Sequence, residues 1–420
     1  MNITVTPGAL RGTVERVMTS KSQAHRLLIC GGLAEEETRL RDVPASEDAE
    51  ATIRCLRAMG AQIRGEAGDL TVRGGAVPAG ETELDCGESG STLRFMLPQA
   101  AARGLRASFT GRGKLASRPL SPLYEEMERH GIEMSPQGAF PLRVRGRLSP
   151  GEYRLAGDVS SQFISGLLMA LPLLEGDSRV EILGRLESRP YVDLTLDTLG
   201  TFGIRTEETE TGFRIPGGQT FRSPGEARVE GDWSGAAFWL AAGALSREGV
   251  TCRNLNLRSA QGDRAMVTLL KGFGAEVTEG SDAVTVRRGV MRGIDIDAAD
   301  IPDLVPILAV TAAYAEGDTR IRHIRRLRIK ESDRVASVLA LIRSLGGAAE
   351  AGEDVMTIRG SGRLRGGAVD AFRDHRIAMA AAIAGTGAEQ PVSIKGAEAV
   401  NKSYPGFFEE MKALEGGVRE

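Results

Sequence analysis

LIRSLGGAAEAGEDVMTIRG, residues 341–360, holds the pattern that decides the fold. An apolar helix end runs into Gly346, where a left-handed C-terminal residue belongs. Alternating residues on either side of the polar turn around Gly352 then predict a β-hairpin. The same junction recurs along the chain. CLRAMG ends at Gly60, YEEMERHG at Gly131, LDTLGTFG at Gly203, TLLKGFG at Gly274 and MKALEG at Gly416, so that successive glycines lie 71, 72, 71, 72 and 70 residues apart. A fixed period of that length marks one supersecondary unit built six times.

Hairpins follow the other glycines in QIRGEAGDLTVRG, EMSPQGAFPLRVRG, RTEETETGFRIPG and EVTEGSDAVTVRRG. The sixth glycine meets the end of the sequence at Glu420, which leaves no room for its second strand. Ile3-Thr4-Val5-Thr6-Pro7-Gly8 resembles those second strands, and Val5 aligns with Val72, Val144, Ile215, Val286 and Ile358. The first strand is therefore expected to complete the last unit.

Each unit also contains an earlier helix that is apolar on nearly all sides, such as STLRFMLPQAAA or SGAAFWLAAGALS, and a later amphipathic one such as SPLYEEMERH. The first kind is expected to be buried and the second to lie outside. The fold class is α/β, with two domains of three βαβαββ units each, an inside-out, barrel-like arrangement of pseudo-threefold symmetry. Closing the chain requires two crossings, one just after the first strand and one near Ser223–Val229. Domain I is expected over 1–18 and 228–420, and domain II over 19–227.

Composition narrows the class. The chain has 420 residues, 41% hydrophobic and 26% charged, with a formal net charge of −3, which excludes bulk attraction to nucleic acid or acidic membranes. Four scattered cysteines and four histidines show no zinc spacing, so no metal is expected. No secretory leader and no apolar run of about 18 residues is evident, which points to a cytoplasmic protein.

The chemistry gathers where helices begin. Cys86-Gly87-Glu88-Ser89-Gly90-Ser91-Thr92-Leu93-Arg94 is a small-residue turn that feeds an apolar helix. Such a turn aims free N–H groups and a positive dipole end at whatever lies before it. Taken alone, the stretch reads first as an ordinary N-cap. Lys21, Ser22 and Arg26 fall within one turn of another buried helix, Ser160-Ser161-Gln162 opens a third, Asp303 a fifth and Arg376 a sixth. Arg118, Ser188, Lys330-Glu331 with Arg334, and Lys402 stand at the starts of outer helices. Caps and a solvated ion-pair turn explain several of these singly, and His25 and His375 read as structural. Converging helix starts would instead make a cationic cleft holding two acids, Asp303 and Glu331, which suits an anionic substrate and proton transfer.

In order along the chain, SKSQAHR, GESGSTLRF, LASRPL, GDVSSQF, ESRPYVDLT, IPDLVP, LRIKESDR, DHRIAMA and NKSYPGF resemble the 5-enolpyruvylshikimate-3-phosphate (EPSP) synthase family, 3-phosphoshikimate 1-carboxyvinyltransferases. The resemblance covers essentially the whole chain. It implies transfer of the enolpyruvyl group of phosphoenolpyruvate to the 5-hydroxyl of shikimate 3-phosphate through a tetrahedral intermediate, on the route to chorismate and the aromatic amino acids. It also implies a monomer without cofactor, an active site in the interdomain cleft, closure around ligand, and glyphosate as a competitor of phosphoenolpyruvate. Carried over, Lys21, Ser22, Arg26, Ser160, Ser161, Gln162, Ser188, Asp303 and Lys330 would hold shikimate 3-phosphate. Lys21, Gly90, Arg118, Gln162, Arg334, Arg376 and Lys402 would hold phosphoenolpyruvate. Asp303 would take the hydroxyl proton, and Glu331 with Lys21 would serve the methylene carbon.

Two positions depart from the family's pattern: Glu88 stands where Asn is common, and Arg326 where many members carry Asn or His. Glu88 is expected to point away from the anion or to pair with a cation. The sister transferase acting on UDP-N-acetylglucosamine is the alternative enzyme. It carries a reactive Cys in the loop matching Gly111–Arg118, and none stands here. A non-catalytic anion-binding repeat protein is the alternative from another class, and the two acids argue against it.

Overall fold

The computed structural model describes residues 1–66, 68–414 and the strand Val418–Arg419. Gly416 and Glu420 of the sixth repeat lie outside the described residues. The protein has a two-domain α/β fold built on six four-stranded sheets. One unit stands for the rest. Strand Glu81–Asp85 leads into helix Gly90–Ala102 and returns as strand Arg106–Thr110, parallel to the first with Leu84 opposite Phe109. Helix Leu123–Arg129 and the hairpin Ile132–Met134/Leu142–Gly146 follow, and the second hairpin strand lies beside Arg106–Thr110 with Ala107 opposite Val144. Strand order in this sheet is therefore first, second, fourth, third.

The local causes are those read from the sequence. Gly60, Gly131, Gly203, Gly274 and Gly346 all have positive φ, between 75° and 99°, as the ends of these helices require. At Gly60 the demand is also steric, since a Cβ there would lie 2.1 Å from the carbonyl oxygen of Ala76. Ser20, Ser46, Ser89, Ser160, Asp232, Asp333 and Asp374 each cap a helix through a side-chain oxygen.

Chain contacts divide the protein into two units, Met1–Met18 with Glu230–Glu420, and Thr19–Val229. Each has its own core. Three buried helices fill the first, Trp233–Leu245, Val305–Ala313 and His375–Gly387, and three fill the second, Lys21–Leu33, Gly90–Ala102 and Ser161–Ala170. Each Leu or Phe fully removed from water there contributes about 1.5–3 kcal/mol.

The N-terminal strand Asn2–Val5 lies antiparallel between Val392–Lys395 and Val418–Arg419, in the position that Leu142–Gly146 holds in its own sheet. A second strand, Gly12–Val14, first pairs in parallel with Val250–Arg253, so the chain leaves this unit only after Met18. Glu226–Arg228 likewise pairs in parallel with Thr38–Arg41 inside the unit Thr19–Val229.

Candidate functional site

In the unit Thr19–Val229 the candidate residues sit on the N-terminal turns of its three buried helices and on the segment after Thr110. Ser20 caps the helix that carries Lys21 in its first position, and the Lys21 ammonium lies 2.8 Å from Asp48 Oδ2. Asp48 belongs to the neighbouring helix Glu47–Ala58, and its carbonyl oxygen accepts from Thr92 Oγ1 at 3.3 Å. Thr92 Oγ1 also lies 2.8 Å from Ser89 Oγ, so Lys21 and the Gly90 turn are tied through two residues.

Gly90 opens its helix with Arg118 directly above it. A Cβ at residue 90 would stand 2.5 Å from Arg118 Nη1 and 2.7 Å from its Cζ. The bare glycine therefore makes room for the guanidinium. Arg118 lies after a 3-10 turn, Leu115–Ser117, and ahead of helix Leu123–Arg129 rather than at its start. Lys402 likewise ends a 3-10 turn, Ala397–Lys402, ahead of helix Phe407–Ala413. The Glu88 carboxylate lies over Gly113, where a Cβ would meet its Oε1 at 2.4 Å, so it faces the loop that leads to Arg118.

Ser160 caps the third helix by accepting from the Gln162 N–H at 3.3 Å. The Gln162 side chain joins two helices: Nε2 donates to Ser91 Oγ at 2.8 Å and Oε1 accepts from Arg94 Nη1 at 2.7 Å. Ser161 is buried as the first residue of its helix, and Ser188 sits at φ 57° just before helix Arg189–Thr201. Arg26 is buried, and its guanidinium donates to Thr195 Oγ1 at 2.7 Å, to the Ser22 carbonyl at 2.6 Å and to the Tyr191 carbonyl at 2.8 Å. Burial pushes Arg26 down to about 10. The Ser22–Arg26 relation predicted from spacing is present, through the Ser22 backbone oxygen. His25 stays outside this set; its Nδ1 is 2.7 Å from Thr52 Oγ1, and burial lowers its pKa to about 3.

The unit containing Glu230–Glu420 holds the acids. Arg334, 1% exposed, meets three carboxylates: Asp303 at 2.7 Å, Glu331 at 2.7 Å and Asp374 at 2.9 Å. Arg376 donates to the other oxygen of Asp303 at 2.8 Å, so Asp303 bridges the two guanidiniums. Asp374 also caps helix His375–Gly387 and accepts from Ser332 Oγ at 3.0 Å. Burial pushes the Asp303 carboxyl upward, but Arg376 and Arg334 outweigh it and hold the group well below the usual carboxylate range. Lys330 is pushed down to about 7, mainly by loss of water, with Asp303 opposing. Arg326 is buried and donates to the Ala299 carbonyl.

Sequence reasoning assigned no role to Asp48, Arg94 or Asp374. Asp374 stood in a quoted motif without a role; it caps its helix, and its approach to Arg334 gives it a second function. Asp48 lies in an acidic first turn beside Glu47 and Glu50, which reads as complement to a helix dipole.

A family model described as EPSP synthase (3-phosphoshikimate 1-carboxyvinyltransferase) matches residues 5–411. The chain belongs to the EPSP synthase family. A relative from Clostridium kluyveri named 3-phosphoshikimate 1-carboxyvinyltransferase is 42% identical over 421 residues, covering 100% of this chain and 98% of its own. One of the same name from Clostridium perfringens is 41% identical, covering 100% and 99%. A solved EPSP synthase from Acinetobacter baumannii superposes with a TM-score of 0.83 at 26% identity, over the full length of both chains. Among the described residues no cluster of His, Cys, Asp and Glu could hold a metal ion, and no helix is long and apolar enough to cross a membrane. All four cysteines of this EPSP synthase family member are free and buried.

Proposed function

We propose that the chain transfers the enolpyruvyl group of phosphoenolpyruvate to the 5-hydroxyl of shikimate 3-phosphate and releases phosphate. Besides family membership, the observation that carries this reading is Asp303 held between Arg334 and Arg376. Phosphoenolpyruvate brings a phosphate and a carboxylate, and guanidiniums match both by bidentate geometry.

An Asp tied to two guanidiniums is a weak base, because its charged form is already satisfied. Phosphoenolpyruvate competes for the same guanidiniums. As its oxygens take their N–H groups, Asp303 loses stabilisation and its affinity for a proton rises. The donor substrate thereby readies the base that deprotonates the 5-hydroxyl of shikimate 3-phosphate. The alkoxide oxygen bonds to C2 of phosphoenolpyruvate while C3 gains a proton from Glu331 or Lys21. The tetrahedral adduct then loses the C3 proton, the C2–O bond to phosphate breaks, and the enol ether remains. Arg118, Lys402 and the Gly90 turn hold the donor anion, and Lys21 and Gln162 serve both substrates. Ser22, Arg26, Ser160, Ser161, Ser188 and Lys330 hold the acceptor in place.

The reading includes a cytoplasmic monomer, with light scattering as the check on assembly. Incubation with both substrates should yield enol ether and phosphate in equal amounts, followed by proton and phosphorus NMR. Absence of the enol ether signal overturns the reading.

A further inference from the structure

An amide's chemistry toward an anion depends on which end faces it: one end accepts, the other donates. Gln162 presents Oε1 to Arg94 Nη1 at 2.7 Å and Nε2 to Ser91 Oγ at 2.8 Å. A guanidinium has only donors, so the reverse amide orientation would set N–H against N–H. Arg94 therefore decides which way the amide lies. Arg94 is itself held fast. It is 5% exposed, its Nη2 donates to the Pro119 carbonyl at 3.1 Å, and its Cζ lies 5.1 Å from the Phe163 ring centroid. One buried guanidinium thus fastens the Gln162 amide, the residue after Arg118, and the helix that Gly90 opens.

We propose that Arg94 is a positioning residue for the donor anion: by locking Gln162 Oε1 it keeps Nε2 as the ligand-facing end. One N–H of Nε2 goes to Ser91, and the second serves a phosphate or carboxylate oxygen of phosphoenolpyruvate. Gln162 is then purely a donor toward that substrate, and Arg94 acts through it without touching the ligand. This rests on the enolpyruvyl transfer proposed above.

A double-mutant cycle on the full chain tests it, reading the phosphoenolpyruvate KM at saturating shikimate 3-phosphate. Gln162→Ala and Arg94→Met should each raise that KM about tenfold, the loss of one hydrogen bond to a charged group. The double variant should stay within about twofold of Gln162→Ala, because Arg94 has nothing left to orient. Multiplying effects, about a hundredfold in the double variant, overturn the proposal.

If Arg94→Met does not fold, Gln162→Glu decides. Its carboxylate still accepts from Arg94, so thermal stability should hold, while the donor N–H is gone and the KM should rise more than about tenfold. An unchanged KM in Gln162→Glu overturns the proposal. Wild-type turnover with multiplying effects removes only the role of Arg94, whereas absence of wild-type turnover removes the transferase reading along with it.

Discussion

Gly90→Ala separates a helix cap from a ligand site. Gly90 is the first residue of helix Gly90–Ala102, and its backbone lies outside the left-handed region, so alanine fits the local conformation. Local terms alone favour the substitution by about 0.4–1 kcal/mol. The new methyl group, however, would sit 2.5 Å from Arg118 Nη1 and 3.1 Å from Nη2. The guanidinium must withdraw by about 1 Å to regain ordinary contact, which a long side chain does at little cost to the fold. It then no longer stands where the proposed donor anion needs it. A lost charge-assisted hydrogen bond is worth about 1.5–3 kcal/mol, or a KM increase of about 10–150-fold. Initial rates of phosphate release against phosphoenolpyruvate, at saturating acceptor, measure this, with the melting temperature expected within about 4 °C of wild type. In an Arg118→Ala background the same substitution should add nothing. An unchanged phosphoenolpyruvate KM, or an equal further loss without Arg118, would refute the argument.

Asp303→Ala should lower kcat by about 100-fold or more while phosphoenolpyruvate still binds, as read by isothermal calorimetry; unchanged turnover removes Asp303 from the chemistry. Asp374→Asn leaves Arg334 short of a buried carboxylate and should cost about 3–5 kcal/mol in urea unfolding, and a loss under about 1 kcal/mol would contradict that. Lys330 carries its charge only below about 7, so kcat/KM for shikimate 3-phosphate should fall as pH rises through that value. Lys330→Arg should move the falling limb to higher pH, and a limb that stays in place assigns it to another group. Burial raises the thiol pKa of Cys30, Cys86 and Cys252, so alkylating reagents should leave the native enzyme active; stoichiometric inactivation would speak against this.

Much of the architecture was legible because it is local and repeated. A left-handed glycine after an amphipathic helix and a two-period hairpin recur about every seventy residues, and the N-terminal strand betrays its place by sharing their pattern. The short strand that precedes the first crossing was not legible. Gly12-Thr13-Val14 is too short to show alternation, and its partner Val250–Arg253 lies far along the chain. The candidate residues stood out as helix starts, but their partners did not. Nothing near Asp48 announces Lys21, nothing near Arg94 announces Gln162, and Asp374 reads locally as a cap until Arg334 arrives from another helix. Arg118 and Lys402 were placed at helix starts because the 3-10 turns before them also resemble the opening of a helix.

The central claim is the choice of acceptor. Phosphate release from phosphoenolpyruvate should be followed with shikimate 3-phosphate and, separately, with UDP-N-acetylglucosamine. Release is expected with the first and none above background with the second. Release with UDP-N-acetylglucosamine alone, or with neither, would contradict it.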